Sequence, residues 1–261
     1  TFKLVISGLE GGHSGFDIDK NRGNSNILIT ELLNLIPDVT LNDFSGGLNY
    51  NILPSKTEVI FTTTTDNKTI KQIIKNFYIQ NKKQYKTLKI QCHRQLNKTL
   101  VLQQSANLLG FINNFQQGVI KRNENNEVIA SQNLSEISTD NGTIKIGLRS
   151  NVKTYEKEML NNLRELCRKF KFEGKEIDTQ PSFSTLNNSE LLKALIQTNS
   201  NATEVKSHMA VECGIFQDRI KNLDIVIISP TIIDAHCTTE RLNISSIAET
   251  SIWLKNFLET Y

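Results

Sequence analysis

The chain has 261 residues, enough to bury a sizeable core and to form two domains. Its 30 basic and 27 acidic residues nearly balance, and no dense run of Lys or Arg occurs, which argues against nucleic acid as a partner. Because no apolar run approaches the roughly 18 residues that span a bilayer, we also expect no membrane partner.

The first part of the chain predicts a sheet covered by two helices. Residues 2–7 alternate as a half-buried strand does, and residues 24–36 carry apolar side chains at helical spacing until Pro37 stops the helix. The predicted strands are 2–7, 40–44, 58–64 and 87–92, and the predicted helices are 24–36 and 69–80. This order, βαββαβ, is the ferredoxin-like arrangement.

A second, similar order is predicted for the residues that follow. Asp140, Asn141 and Gly142 form a strong hairpin signal. The predicted elements are helix 100–115, strands 127–138 and 143–152, helix 155–170 and strand 171–177. We therefore predict an α/β protein whose first, α+β domain contains two ferredoxin-like βαββαβ-type halves, with the boundary near Pro181.

The last part of the chain combines helices with a buried strand and a histidine loop. The predicted elements are helix 189–198, loop 208–216, strand 223–229, a loop that presents His236, and helix 247–258. In α/β proteins, a loop beyond a buried strand often carries metal ligands or catalytic groups, although His236 could also be a simple loop histidine.

The cysteines and the first residue give two further expectations. The four cysteines, at 92, 167, 213 and 237, show no CxxC spacing and are typical of reduced thiols in a cytoplasmic protein. The chain begins without Met, directly in a predicted strand, which suggests a piece of a longer protein.

Short motifs follow one another along the chain. They are GGHSG at 11–15 with GNSN at 23–26, GG at 46–47 with NILP at 51–54, SQNL at 131–134, LRS at 148–150, HMAVECG at 208–214, and SPTI at 229–232 with AHCTTE at 235–240. In the same order, they resemble GGHSG…GNANK, GG…NAIP, SLNLG, an RSS-like segment, HAGLECG and GPTI…HSPDE of the aminoacyl-histidine dipeptidases, also called cytosol non-specific dipeptidases. Each motif alone is weak, but the ordered set is specific.

The resemblance implies a di-zinc metallopeptidase that hydrolyses dipeptides, of the Xaa-His type or of broad range, in the cytoplasm. Residues 1–180 would form a lid domain through which a homodimer assembles, and 181–261 the C-terminal part of the α/β catalytic domain. Two zinc ions, with cobalt or manganese as possible substitutes, would activate a water molecule. Most family metal ligands precede the lid and are not in this sequence, so we expect the chain alone to be incomplete and inactive.

The resemblance also assigns roles to three side chains. His236 would be the last metal ligand, since zinc binds His nitrogen readily. His13 would stabilise the oxyanion of the tetrahedral intermediate, unless it only shapes its glycine-rich turn. Arg149 would clamp the substrate carboxylate through two parallel hydrogen bonds, unless it is a solvated strand residue.

Five further residues match family positions, and four of these are expected near the substrate. Asn24 corresponds to an Asn that contacts substrate, although an N-cap of the following helix is an equally good reading. Ala210 and Gly214 flank a tight loop whose backbone could approach the substrate. Glu212 could orient the substrate amine or pair with a core cation. His208 matches a family His that has no firm role.

Two other functions remain open. The chain could be a non-catalytic assembly or binding module derived from the lid, or part of a related aminoacylase or carboxypeptidase. A His-x-Asp motif and a Glu-Glu pair upstream would favour the peptidase, and their absence would favour the binding module.

Overall fold

The architecture is described by a computed structural model, which covers all residues except 96–99, 184–187, 200, 203, 206–207, 209–210 and 236–238. The strands are β1 (Phe2–Ser7), β2 (Thr40–Gly46), β3 (Thr57–Thr62), β4 (Lys89–Arg94), β5 (Gly118–Arg122), β6 (Val128–Ser138), β7 (Thr143–Ser150), β8 (Ile232–Ile233) and β9 (Arg241–Leu242). The helices are α1 (Ser25–Asn34), α2 (Asn67–Asn81), α3 (Ser105–Asn114), α4 (Lys153–Lys169), α5 (Glu190–Thr198), α6 (Glu212–Arg219) and α7 (Ile244–Thr260). This mixed architecture, with a mainly antiparallel sheet, confirms the predicted α/β class.

The first ferredoxin-like half forms as predicted. Its strands lie in the order β4-β1-β3-β2, each antiparallel to its neighbour. In β3, inward residues alternate with half-exposed ones, and Val59 and Phe61 are fully buried opposite Leu4 and Phe2 of β1. Helices α1 and α2 pack against this sheet and against each other.

The long strand β6 joins the two halves into one seven-stranded sheet. One edge of β6 pairs with β5 near its start and with β2 at its end, where the partners are Ser45–Ser138 and Gly46–Ile137. Strand β7 pairs along the other edge as the predicted hairpin. Helix α3 packs on α1 and β2, and α4 packs on β7 and α3.

The second half departs from the predicted βαββαβ order, because its elements run αβββα. Strand β5 was not predicted, and the strand predicted at 171–177 is wrong. Phe172 of that segment instead meets the ring of Phe111 edge-on in the core, as does Phe170 just before the segment.

The main hydrophobic core lies between the sheet and helices α1 to α4. Its fully buried side chains include Leu4, Ile29, Phe44, Phe61 and Leu134. In the described residues after 172, the buried apolar side chains are Leu195 and Phe257, and neither belongs to this core. The domain boundary near residue 180 agrees with this change but stays a prediction.

The C-terminal segment packs loosely around two helices. The indole Nε1 of Trp253 on α7 donates to the hydroxyl of Thr198 at 3.0 Å, which holds α7 against α5. The strand predicted at 223–229 is wrong, because these residues pair with no other strand in the described chain. Helix α6 occupies part of the predicted loop. Large apolar side chains stay exposed here, among them Phe216, Ile252 and Leu258. No helix in the described part of the chain is both long and apolar enough to span a bilayer.

Candidate functional site

The turn after β1 holds His13 in one orientation. Its ring Nδ1 accepts the backbone N–H groups of Gly15 at 3.0 Å and Phe16 at 3.2 Å. A neutral imidazole whose Nδ1 accepts carries its proton on Nε2. The buried His13 ring therefore carries its proton on Nε2. The predicted oxyanion role of His13 stays a prediction.

Hydrogen bonds and ion pairs of Asp17 and Arg22 stabilise the turn that holds His13. The Asp17 carboxylate accepts the backbone N–H of His13 at 2.8 Å and binds Arg22 at 3.1 Å. Gly12 has a φ of +121°, and a Cβ there would overlap the side chains of Asp17 and Arg22. Glycine is needed at this point for both reasons. Arg22 also reaches Asp234 at 3.8 Å, which ties the turn to the loop that precedes His236.

The described structure brings Arg149 to the His13 turn. Its Nε and Nη2 donate to the Ser14 hydroxyl at 3.3 and 3.2 Å. Burial lowers the pKa of the Arg149 guanidinium, while the nearby Tyr50 acts in the opposite direction. No described carboxylate forms an ion pair with Arg149. A half-buried cation without a counter-ion is costly, so this side chain is suited to bind an anion.

His208 contacts Ser131, the residue of β6 that pairs with Arg149 of β7. Ser131 pairs directly with Arg149 across β6 and β7, and its hydroxyl lies 2.7 Å from His208 Nε2. Burial, together with the positive charge of Arg149, lowers the pKa of His208 to about 4, and Asp19 opposes this shift. His208 is therefore neutral at physiological pH. Its motif was noticed in the sequence, but its neighbours were not foreseen.

Asn24 is held by hydrogen bonds within the protein. Its Oδ1 accepts the backbone N–H groups of Asn26 and Ile27 as the N-cap of α1. Its Nδ2 donates to Asn133 Oδ1 at 3.1 Å and to the carbonyl of Leu134 at 3.0 Å. All four bonding positions of the amide are thus engaged, as the N-cap reading expected. Substrate contact by Asn24 stays a prediction and would require one of these bonds to break.

The remaining predicted site residues lie in the C-terminal segment. Glu212 is exposed on the first turn of α6. Gly214 is buried, and a Cβ there would overlap the carbonyl of Pro181, so close packing explains this glycine without a substrate. Ala210 and His236 lie outside the described residues. The substrate roles of Ala210, Glu212 and Gly214 and the metal role of His236 stay predictions.

One polar group beside the turn was missed by sequence reasoning. The Oδ1 of Asn51 is buried and accepts no hydrogen bond in the described structure. The carbonyl of the same residue accepts the backbone N–H of Ser14 at 2.8 Å, and His13 bridges to Ile52. The NILP motif at 51–54 marked a turn, and its asparagine was the available signal.

The described residues do not by themselves form a metal site. No three His, Cys, Asp or Glu side chains among them converge on a point where a metal ion could bind. The predicted ligand His236 lies outside these residues, so a metal centre in this protein stays a prediction.

Two dipeptidases resemble this chain along nearly its whole length. No family model matches the chain. It is 26% identical to the cytosol non-specific dipeptidase of Escherichia coli (strain K12) over 270 residues, which cover 95% of this chain and 55% of the relative. The fold matches the crystal structure of aminoacylhistidine dipeptidase from Vibrio alginolyticus with a TM-score of 0.75 and 21% identity, over 99% of this chain and 57% of the other. The chain thus spans about half the length of these relatives. The predicted resemblance to the dipeptidase family is therefore confirmed.

Proposed function

We propose that this chain is the lid and C-terminal part of a metal-dependent dipeptidase. The observation that carries the proposal is the Arg149 guanidinium, which is half-buried, has no described carboxylate partner, and is bonded to the residue next to His13. A cation kept in this state binds a ligand carboxylate with little competition from water. The names of the two relatives agree with a dipeptide substrate.

The two groups divide the work of binding and catalysis. Arg149 would hold the C-terminal carboxylate of a dipeptide, which fixes the distance from that carboxylate to the scissile peptide bond. His13 would donate Nε2–H to the oxygen that gains negative charge in the tetrahedral intermediate, and its two Nδ1 bonds would keep that proton on Nε2. A clamp on the terminal carboxylate explains a preference for short peptides of the Xaa-His type or of broader range.

The metal part of the proposal rests on the resemblance. Zinc, with cobalt or manganese as substitutes, would supply an activated water molecule when bound. His236 would provide one ligand. A catalytic zinc ion normally has about three protein ligands, so the others would come from another part of a longer protein. By the same resemblance, that protein is a cytoplasmic homodimer joined through the lid.

Two alternatives make different predictions. An aminoacylase or carboxypeptidase would also use a carboxylate clamp but would accept acylated amino acids or longer peptides. A binding module derived from the lid would bind carboxylates without hydrolysis. The half-buried Arg149 is compatible with each of them, whereas the similarity to dipeptidases along nearly the whole chain favours the first proposal.

The proposal is tested with the full-length protein and matched substrates. Dipeptides such as β-alanyl-histidine are compared with their C-terminal amides and with longer peptides. We expect the free acids to be preferred, and Arg149→Lys to lose nearly as much of that preference as Arg149→Ala, because a point charge cannot form the bidentate pair.

The matched control is Arg94→Lys, which changes an exposed arginine on β4 at the opposite edge of the sheet. It should leave the kinetics unchanged. Equal losses for acids and amides in the Arg149 variants would assign this residue to the fold alone. A full-length protein that binds dipeptides without cleaving them would instead support the binding module.

A further inference from the structure

The hydrogen bonds between Arg149 and Ser14 use one particular edge of the guanidinium. An arginine can bind a carboxylate bidentately through its Nε–Nη2 edge or through its Nη1–Nη2 edge. Ser14 Oγ accepts from Nε and Nη2, so it occupies the first of these edges. Nη1 has no hydrogen-bond partner in the described part of the chain.

Ser14 is itself fixed in place. Only 1% of its surface is exposed, and its backbone N–H donates to the carbonyl of Asn51 at 2.8 Å. It also lies between His13 and Gly15, which are joined by the Nδ1 bond that orients the imidazole. The same backbone turn therefore orients both side chains: His13 through its Nδ1 bond, and Arg149 through the Ser14 hydroxyl.

We propose that Ser14 is a positioning residue, which turns Arg149 so that its Nη1–Nη2 edge receives the substrate carboxylate end-on. The inference rests on the proposed dipeptidase function and adds the direction from which the carboxylate binds.

Removal of the hydroxyl would leave the guanidinium free to choose among rotamers. Ordering a long side chain on binding weakens affinity by roughly 2- to 10-fold. Arg149 would bind the carboxylate equally in the ground state and in the transition state. Weaker binding of the carboxylate should therefore raise KM and leave kcat nearly unchanged.

The test uses the full-length protein with Ser14→Ala, alone and combined with Arg149→Ala. We expect KM for a free-acid dipeptide to rise roughly 2- to 10-fold, with no change for the amide of the same dipeptide. In the Arg149→Ala background, Ser14→Ala should have no further effect, because Ser14 acts through Arg149. Ser14→Thr, which retains the hydroxyl, should restore KM; a Tm measurement shows whether each variant is folded.

The matched control is Ser105→Ala, which removes another buried hydroxyl that accepts an N–H, that of Leu41 at 2.7 Å, on the distant helix α3. It should lower Tm and leave KM unchanged. Unchanged KM in a folded Ser14→Ala protein, equal losses for acid and amide, or additive effects in the double variant would each overturn the inference. If the unmodified protein shows no preference for free acids, the proposed function fails first, and this outcome is distinct from the others.

Discussion

The imidazole of His208 and the hydroxyl of Ser131 lie 2.7 Å apart and form a buried hydrogen bond between the C-terminal segment and the sheet. The two residues are distant in sequence, and the bond lies beside Arg149, the cross-strand partner of Ser131. A charged imidazole would face both burial and the positive guanidinium. The contact therefore depends on a neutral histidine.

This dependence predicts a loss of stability in mild acid. The pKa of His208 is lowered to about 4 from an ordinary value of 6.5, by burial and by Arg149, with Asp19 acting in the opposite sense. Since the unfolded chain binds a proton at a higher pH than the folded chain, stability is complete above pH 6.5 and falls as the pH drops towards 4. The loss should approach at most about 3 kcal/mol. Urea unfolding between pH 4 and 7 measures this loss of unfolding free energy. The variant His208→Asn should lose most of the pH dependence. If the variant keeps the pH dependence of the unmodified protein, His208 is not its source.

Gly47 is expected to tolerate no side chain. Its φ is +84°, and a Cβ there would overlap the carbonyl oxygen of Ser135 on β6. Gly47→Ala should therefore lower the free energy of unfolding by about 2–4 kcal/mol, through backbone strain and displacement of the strand. Gly142 is the matched control, since its φ is +61° and no described atom lies within 4 Å of its Cβ position. Gly142→Ala should cost only about 1 kcal/mol, and equal losses would mean that the contact with Ser135 is unimportant.

A substitution at Asn24 can distinguish the contribution of its helix-capping Oδ1 to stability from that of its Nδ2 hydrogen bonds to β6. Asn24→Asp retains the cap acceptor but removes both Nδ2 donors and places a carboxylate opposite Asn133 Oδ1 and the carbonyl of Leu134. We expect a loss of about 2–4 kcal/mol in unfolding free energy. The control is Asn243→Asp at the exposed N-cap of α7, where a carboxylate caps equally well and the change should be within about 0.5 kcal/mol. Similar results for the two variants would show that the buried donors contribute little.

His13→Ala tests whether the turn acts in catalysis. In the full-length protein, loss of one oxyanion donor should lower kcat by about 10²–10³-fold, with a small change in KM and no loss of zinc. His93→Ala, on the exposed strand β4, is the control and should leave kcat unchanged. If the lid completes the site of a partner subunit, mixing His13→Ala with His236→Ala protein should restore part of the activity. A normal kcat would assign His13 to the shape of the turn.

The sequence predicted those parts of the fold that depend on local patterns. The first ferredoxin-like half follows from alternation in strands such as β3 and from helical spacing in α1. The short strand β5 was missed because its five residues carry little pattern. Residues 223–229 are apolar enough for a buried strand. A strand must also pair with a neighbouring strand, and the sequence of a segment does not show whether such a neighbour exists.

The site shows the same limit. The motifs indicated His13, Arg149 and His208 separately, and the structure brings them together through Ser14 and Ser131. Ser14 and Arg149 are separated by 135 residues, so their contact depends on the register of the whole sheet. The engagement of Asn24 with Asn133 has the same origin, and for that reason the N-cap and substrate roles were equally plausible from sequence.

The narrow junction between β2 and β6 has a consequence for folding kinetics. Only two residue pairs join these strands in the ladder, and the hydrogen bond from Asn24 to Asn133, further along β6, closes a separation of 109 residues. The β6–β7 hairpin, by contrast, forms across a tight turn. Because closing a long loop costs more entropy and local contacts form faster, we expect the β6–β7 hairpin to gain structure before the β2–β6 junction. In pulse-labelling hydrogen exchange, the amides of β7 should therefore become protected before the backbone N–H of Thr139, which bonds to Phe44 across the junction.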